Sequence, residues 1–283
     1  MDDNPHELDA KAGGARSGAM RRLRGIPLRF VLPNLVTLLA LCLGMTAIRF
    51  ASEGLYEFSV FCIVGAAILD GLDGRIARAL DGASRFGAEL DSLADFIDFG
   101  VAPALLLYFW ALHENKSLGW FAALIFAVAA ALRLARFNVM IDDPHMPAWA
   151  GNFFTGMPSP AGAILVMLPL YVHFSTGLPN DKVFVPIEIF YVVLIAFLMA
   201  SRIPHFSGKK IGRVPREWFI AVLFGVVALI LLIATYPMQM LVAVSIAYLA
   251  LIPLAIRRYR AYVADDRARV KAAENAEPGP PTP

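Results

Sequence analysis

The sequence predicts an all-α polytopic membrane protein with about eight transmembrane helices, and three observations lead there. Of its 283 residues 58% are hydrophobic and only 17% are charged, against about 45–50% and about 25% in an average soluble domain. The apolar residues fall into long blocks, each close to the roughly 20 residues that a helix needs to cross about 30 Å of hydrocarbon. The cations are distributed unevenly between alternate connections. Together these exclude a soluble globular enzyme and a disordered chain, and a net charge of only +2 offers no global field for holding nucleic acid.

In chain order, residues 1–25 form a polar, Arg-rich tail and residues 26–260 an integral membrane body, while 261–283, ending in Glu-Pro-Gly-Pro-Pro-Thr-Pro, has the composition of a disordered tail. The apolar blocks are 33–50, 55–80, 91–112, 118–139, 160–175, 183–200, 216–235 and 239–257. Pro169 and Pro186 interrupt the fifth and sixth, which a membrane helix tolerates when neighbours satisfy the freed backbone groups. Cys42 and Cys62 lie inside apolar runs and read as small hydrophobes. With eight spans, both termini and the loops near 75–90, 133–159 and 201–216 share one side, which carries 22 of the 25 Lys and Arg residues. Only Arg49, Lys116 and Lys182 face the other side, so the positive-inside rule makes the first side cytoplasmic.

The segment Leu69–Gly100, LDGLDGRIARALDGASRFGAELDSLADFIDFG, breaks the apolar pattern with Asp70, Asp73, Asp91, Asp95 and Asp98. A carboxylate inside a spanning helix costs several kcal/mol unless it is paired or solvated, so function is its default reading. At about 1.5 Å of rise per residue, all four of Asp70, Asp73, Asp91 and Asp95 reach a common cytoplasmic level. Spacings of i, i+3 and i, i+4 put each pair on one helix face. Four adjacent carboxylates need a compensating cation, and an all-oxygen donor set without His or Cys selects Mg²⁺ or Mn²⁺, with Ca²⁺ also admissible. Two ions sharing bridging oxygens suit four acids and suggest phosphate chemistry. Gly71, Gly74 and Gly87 leave room for a diphosphate or a flat base, and Arg78 offers a bidentate phosphate contact.

Asp73-Gly74, two residues, Ala77-Arg78, eight residues, Gly87, three residues, Asp91, three residues, Asp95, with Asp70 three before the start, resembles the signature of the CDP-alcohol phosphotransferase family at every fixed position and gap. FGAELDSLADFIDFGVAPALL (86–106), RLARFNV (133–139), GMPSPAGA (156–163), SRIPHFSGKKI (201–211) and PNLVTLLALCLG (33–44) are similar to its phosphatidylserine-forming membrane branch. The resemblance implies a CDP-alcohol phosphotransferase-like helical bundle in a bacterial inner membrane, with a homodimeric assembly. It implies that Asp70, Asp73 and Asp91 ligate metal and that Asp95 ligates the second ion and acts as general base. Gly74, Ala77, Arg78 and Gly87 would hold the CDP moiety, with Asn34 and Thr37 touching the nucleotide, although Asn34 serves equally as an N-cap. The implied reaction is CDP-diacylglycerol plus L-serine giving phosphatidylserine and CMP.

For the serine carboxylate the candidates are Arg133 and Arg136, and for its ammonium Asn138 and Asp98, all at the same cytoplasmic level. Asp98 departs from the small polar residue expected of the family. Three alternatives remain open. A related transferase would use glycerol phosphate, an inositol phosphate or choline, favouring a tighter basic cluster or an aromatic cage. An intramembrane prenyltransferase would carry its acidic motifs on widely separated hairpins. A cation transporter would need neither the glycine spacing nor nucleotide cleavage.

Overall fold

The computed structural model describes residues 28–141, 153–177, 182–201, 203–206, 224 and 231–276. Nine helices run in the order α1 (Leu28–Ser52), α2 (Tyr56–Ala79), α3 (Arg85–Phe96), α4 (Ala102–Trp110), α5 (Lys116–Ile141), α6 (Ser159–Val166), α7 (Leu168–Thr176), α8 (Val185–Ala200) and α9 (Pro237–Ala276) among these residues. A π-turn, Ile97–Val101, joins α3 to α4, so that Arg85–Trp110 forms one apolar span. Two three-residue strands, β1 (Phe153–Thr155) and β2 (Pro204–Phe206), pair antiparallel with Phe154 opposite His205. This ribbon joins two of the loops that the cation count places on the cytoplasmic side.

Among the described residues, four helical segments are long and apolar enough to cross a membrane: Val31–Ser52, Arg85–Trp110, Leu112–Met140 and Pro237–Tyr262. A fifth forms if α6 and α7 count as one broken span bent by 41°. α2 has 24 residues but carries acids and arginines toward its C-terminus, and α8 is a shorter apolar helix of 16 residues. Most of the expected seventh block, 216–235, lies outside the described residues, as do the whole N-terminal tail, 1–25, the first two residues of the membrane body, 26 and 27, and residues 277–283 of the C-terminal tail. The last helix continues to Ala276, past the boundary at 260 suggested by composition. Alanine, arginine, lysine and glutamate dominate that extension and are strong helix formers.

α1 and α2 make the most extensive helix pair. Ala40, Ala47 and Ala51 line the buried side of α1 and Ser59, Val60, Ile63 and Ala66 that of α2. Small residues let the backbones approach, as interfaces between membrane helices require, and the Ser59 hydroxyl donates to the Ala47 carbonyl at 2.8 Å. The central core holds Phe99, Leu106, Phe126, Met157, Leu170, Tyr171, Ile195 and Met199. The break between α6 and α7 follows from Pro169, which has no N–H to give to the Leu165 carbonyl four residues earlier. The Tyr191 hydroxyl on α8 donates to that carbonyl at 2.7 Å.

Far from the acids in chain terms, Lys182 closes on Glu114 at 2.8 Å before α8 begins. Its hydrogen bond to Glu114 raises the ammonium pKa above the ordinary lysine value. A raised lysine keeps its stabilising contribution at and below its unfolded-state pKa and loses it only as pH climbs through the folded-state value. Exposed at the surface, the pair is screened by salt.

Candidate active site

The acids sit where α2 ends and α3 runs back. Asp70 and Asp73 belong to the last turns of α2, Asp91 and Asp95 to α3, and the five residues 80–84 connect the two helices. This reversal has identifiable local causes. Asp81 adopts the left-handed conformation at φ 48° just past α2, a conformation that Asp tolerates better than most residues. Gly82 then packs against the Arg29 carbonyl of α1, leaving no space for a side chain. Ser84 caps α3 by accepting the Gly87 N–H at 3.0 Å.

This turn brings oxygen atoms of Asp70, Asp91 and Asp95 within 4.8 Å of one another. Asp73 lies outside that mutual reach but shares the wall of one cavity with Asp91. It is buried, and its Oδ2 accepts the Thr37 hydroxyl of α1 at 2.6 Å. The three-residue spacing on α2 explains the difference, because i and i+3 point about 60° apart around a helix: Asp70 reaches Asp91 and Asp95 of α3 while Asp73 reaches Thr37 of α1. Among the described residues, no Lys, Arg or His nitrogen lies within 4.0 Å of any of these four carboxylates. Three hard oxygen donors in mutual reach, with no ion pair to a basic side chain among the described residues, fit a divalent ion of the Mg²⁺ or Mn²⁺ type.

Beside Asp73 and Asp91 opens a cavity of ≈ 200 Å³. Asn34, Thr37, Gly74, Ala77, Arg78 and Gly87 all line it, so the six residues singled out for the CDP moiety share one wall-to-wall space. A Cβ on Gly87 would stand 2.8 Å from Asn34 Oδ1. α1 begins at Leu28, so Asn34 lies inside the helix rather than at its N-cap. Gly71 has no neighbouring atom within 4 Å of a Cβ position and does not line this cavity.

The four acceptor candidates divide. Arg133 is buried on α5, near enough to Asp95 and Asp70 to feel their charge. Asp98 is buried in the π-turn, where its Oδ1 has no hydrogen-bond partner among the described residues, and it packs so closely on Gly44 of α1 that a Cβ there would collide with the carboxylate. Arg136 is engaged elsewhere: its Nη1 donates to the Ala200 and Ser201 carbonyls at 2.7 and 3.3 Å, satisfying groups that the end of α8 leaves open. Asn138 is exposed and donates to Ser92 Oγ at 2.9 Å. The structure therefore brings Arg133 and Asp98 toward the acids and does not bring Arg136 or Asn138 there.

Sequence reasoning missed two residues that touch Arg133. Ser159, at the start of α6, accepts a hydrogen bond from Arg133 Nη1 at 2.8 Å. The Phe137 ring lies 5.1 Å from the guanidinium carbon. The i, i+4 spacing makes the second contact readable in RLARFNV, but nothing local signals the first.

The sequence profile of the CDP-alcohol phosphatidyltransferase family matches residues 30–203. The CDP-diacylglycerol--serine O-phosphatidyltransferase of Mycobacterium tuberculosis is 41% identical over 246 residues, which are 86% of this chain and 84% of that protein. The enzyme of the same name from Helicobacter pylori is 36% identical over 220 residues, 75% and 85% of the two chains. That of Bacillus subtilis is 37% identical over 138 residues, 48% and 74%.

Proposed function

The chain belongs to the CDP-alcohol phosphatidyltransferase family, and from that premise we propose the following reading of its site. The protein is an integral membrane phosphatidyltransferase that joins CDP-diacylglycerol to L-serine, giving phosphatidylserine and CMP. The observation that carries the chemistry is the convergence of Asp70, Asp91 and Asp95 beside the cavity lined by Gly74, Ala77, Arg78 and Gly87.

The cavity residues hold the CDP part of the substrate. Gly74 and Gly87 let the nucleotide approach the backbone, and Arg78 offers its guanidinium to a phosphate. Asp70, Asp91 and Asp95, with Asp73 beside them, would hold divalent metal, Mg²⁺ or Mn²⁺ and two ions by the family resemblance, which would supply positive charge against the diphosphate. Asp95 accepts the proton of the serine hydroxyl as that oxygen bonds to the lipid-linked phosphorus, and the bond from phosphorus to the CMP oxygen breaks. Arg133 orients the serine carboxylate, and Asp98 faces its ammonium. Arg136 and Asn138, occupied elsewhere, are left out of this assignment.

Both termini face the cytoplasm of a bacterial inner membrane in this reading, supported by the 22 to 3 partition of cations. The family resemblance also implies a homodimer, which light scattering of the detergent complex tests. The activity itself is tested by CMP release from CDP-diacylglycerol by purified protein with Mn²⁺ or Mg²⁺ and a panel of acceptors. Release with serine supports the reading. Release only with glycerol phosphate, an inositol phosphate or choline would move the protein to another acceptor class, and metal flux without CMP would make it a transporter.

A further inference from the structure

Arg133 is in an unusual position for a cation. Asp95 and Asp70 are close enough to attract it, yet no carboxylate among the described residues lies within 4.0 Å of its nitrogens. An arginine has a long, rotatable stem, and a guanidinium beside clustered acids in a medium of low dielectric gains by folding onto them. Two contacts oppose that collapse. Ser159 Oγ, itself fully buried, accepts from Nη1 at 2.8 Å, and the ring of Phe137 packs against the guanidinium at 5.1 Å. Ser159 belongs to α6, an element separate from both acid-bearing helices, so the hydrogen bond ties the cation to a third wall of the site.

We propose that Ser159 is a positioning residue for acceptor choice: its hydroxyl holds Arg133 away from Asp95 and Asp70, keeping the guanidinium available to the carboxylate of the incoming serine and the acids unneutralised. This rests on the assignment of Arg133 to the acceptor carboxylate. A guanidinium has five N–H donors; with one given to Ser159, enough remain for a two-point grip on a carboxylate. Release from Ser159 would let Arg133 pair with Asp95, weakening the hold on serine while leaving intact the nucleotide cavity, which neither Arg133 nor Ser159 lines.

The test is steady-state kinetics in mixed micelles on wild type, Ser159→Ala, Arg133→Ala and the double variant, with serine and with serinol, which lacks the carboxylate. For Ser159→Ala we expect the serine KM to rise about tenfold, the KM for CDP-diacylglycerol to stay within about twofold, and the kcat/KM preference for serine over serinol to fall about tenfold. In the Arg133→Ala background the serine substitution should add less than about twofold, because it acts through the arginine. Ser159→Cys, of similar volume with a weaker acceptor, should fall between wild type and Ser159→Ala and stands in if the alanine variant is unstable. An unchanged serine KM in Ser159→Ala, or equal rises for both substrates, overturns the proposal. If Arg133→Ala raises the serine KM and Ser159→Ala does not, only the positioning role fails. If Arg133→Ala itself leaves the serine KM unchanged, the acceptor assignment fails and the positioning role falls with it.

Discussion

Asp95 is asked to do the most at the scale of single residues. Its carboxylate lies within 4.8 Å of those of Asp70 and Asp91 and feels the charge of Arg133. Exchanging it for Asn keeps the shape and removes the proton acceptor, so Asp95→Asn should retain CDP-diacylglycerol binding while CMP release slows by at least about 10²-fold; near-normal turnover would remove the base from the mechanism. Gly87 tests the nucleotide cavity separately. Its missing side chain faces Asn34 Oδ1, so Gly87→Ala should raise the KM for CDP-diacylglycerol about tenfold or more and leave the serine KM nearly unchanged, a difference of about 1.4 kcal/mol in substrate binding. The acids and glycines were legible in the sequence because they lie within one short stretch at helical spacing. The bond from Thr37 to Asp73 was not, since 36 residues separate the partners and only tertiary packing of α1 on α2 joins them. Ser159 was hidden from Arg133 for the same reason, at a separation of 26 residues.

Among the elements, the interrupted helices are the informative ones. The block at 160–175 is legible as apolar with a proline, but its division at Met167 and the rescue of the Leu165 carbonyl by Tyr191 depend on a neighbour from a different block. Tyr191→Phe removes that donor and should lower stability by about 0.5–1.5 kcal/mol, read as a drop in Tm of the detergent-solubilised protein with the serine KM unaltered. The π-turn at Ile97–Val101 was not anticipated either. It interrupts the regular helix that carries the acids just before Asp98 and buries that carboxylate on Gly44; such turns are frequent at functional sites. Along α5 the sequence offered Arg133, Arg136 and Asn138 at one membrane level. Position on the helix circumference separates them: Asn138 lies about 140° around from Arg133, and Arg136 is one turn farther along, where the carbonyls closing α8 capture it.

For the molecule as a whole, the composition established a helical membrane protein and the cation asymmetry its expected orientation. Lengths of individual spans were less legible, because α2 carries Asp70 and Asp73 at the cost of apolar character and α9 continues as a helix well beyond its apolar part. The orientation predicts that a C-terminal fusion to a fluorescent protein glows while a fusion to periplasmic alkaline phosphatase at the same point stays inactive; the reverse pattern would put the acids on the wrong side for cytoplasmic CDP-diacylglycerol and serine.

Everything in the mechanism depends on carboxylates of two antiparallel helices acting together as a divalent-ion site. The direct measurement is Mn²⁺ binding to metal-stripped protein in detergent by electron paramagnetic resonance, for wild type and for Asp70→Asn and Asp91→Asn variants that elute as folded species. The account predicts Mn²⁺ bound by wild type and restoring its CMP release, with both binding and release lost in the variants. Undiminished Mn²⁺ binding by both variants, or full CMP release in excess chelator, would contradict it.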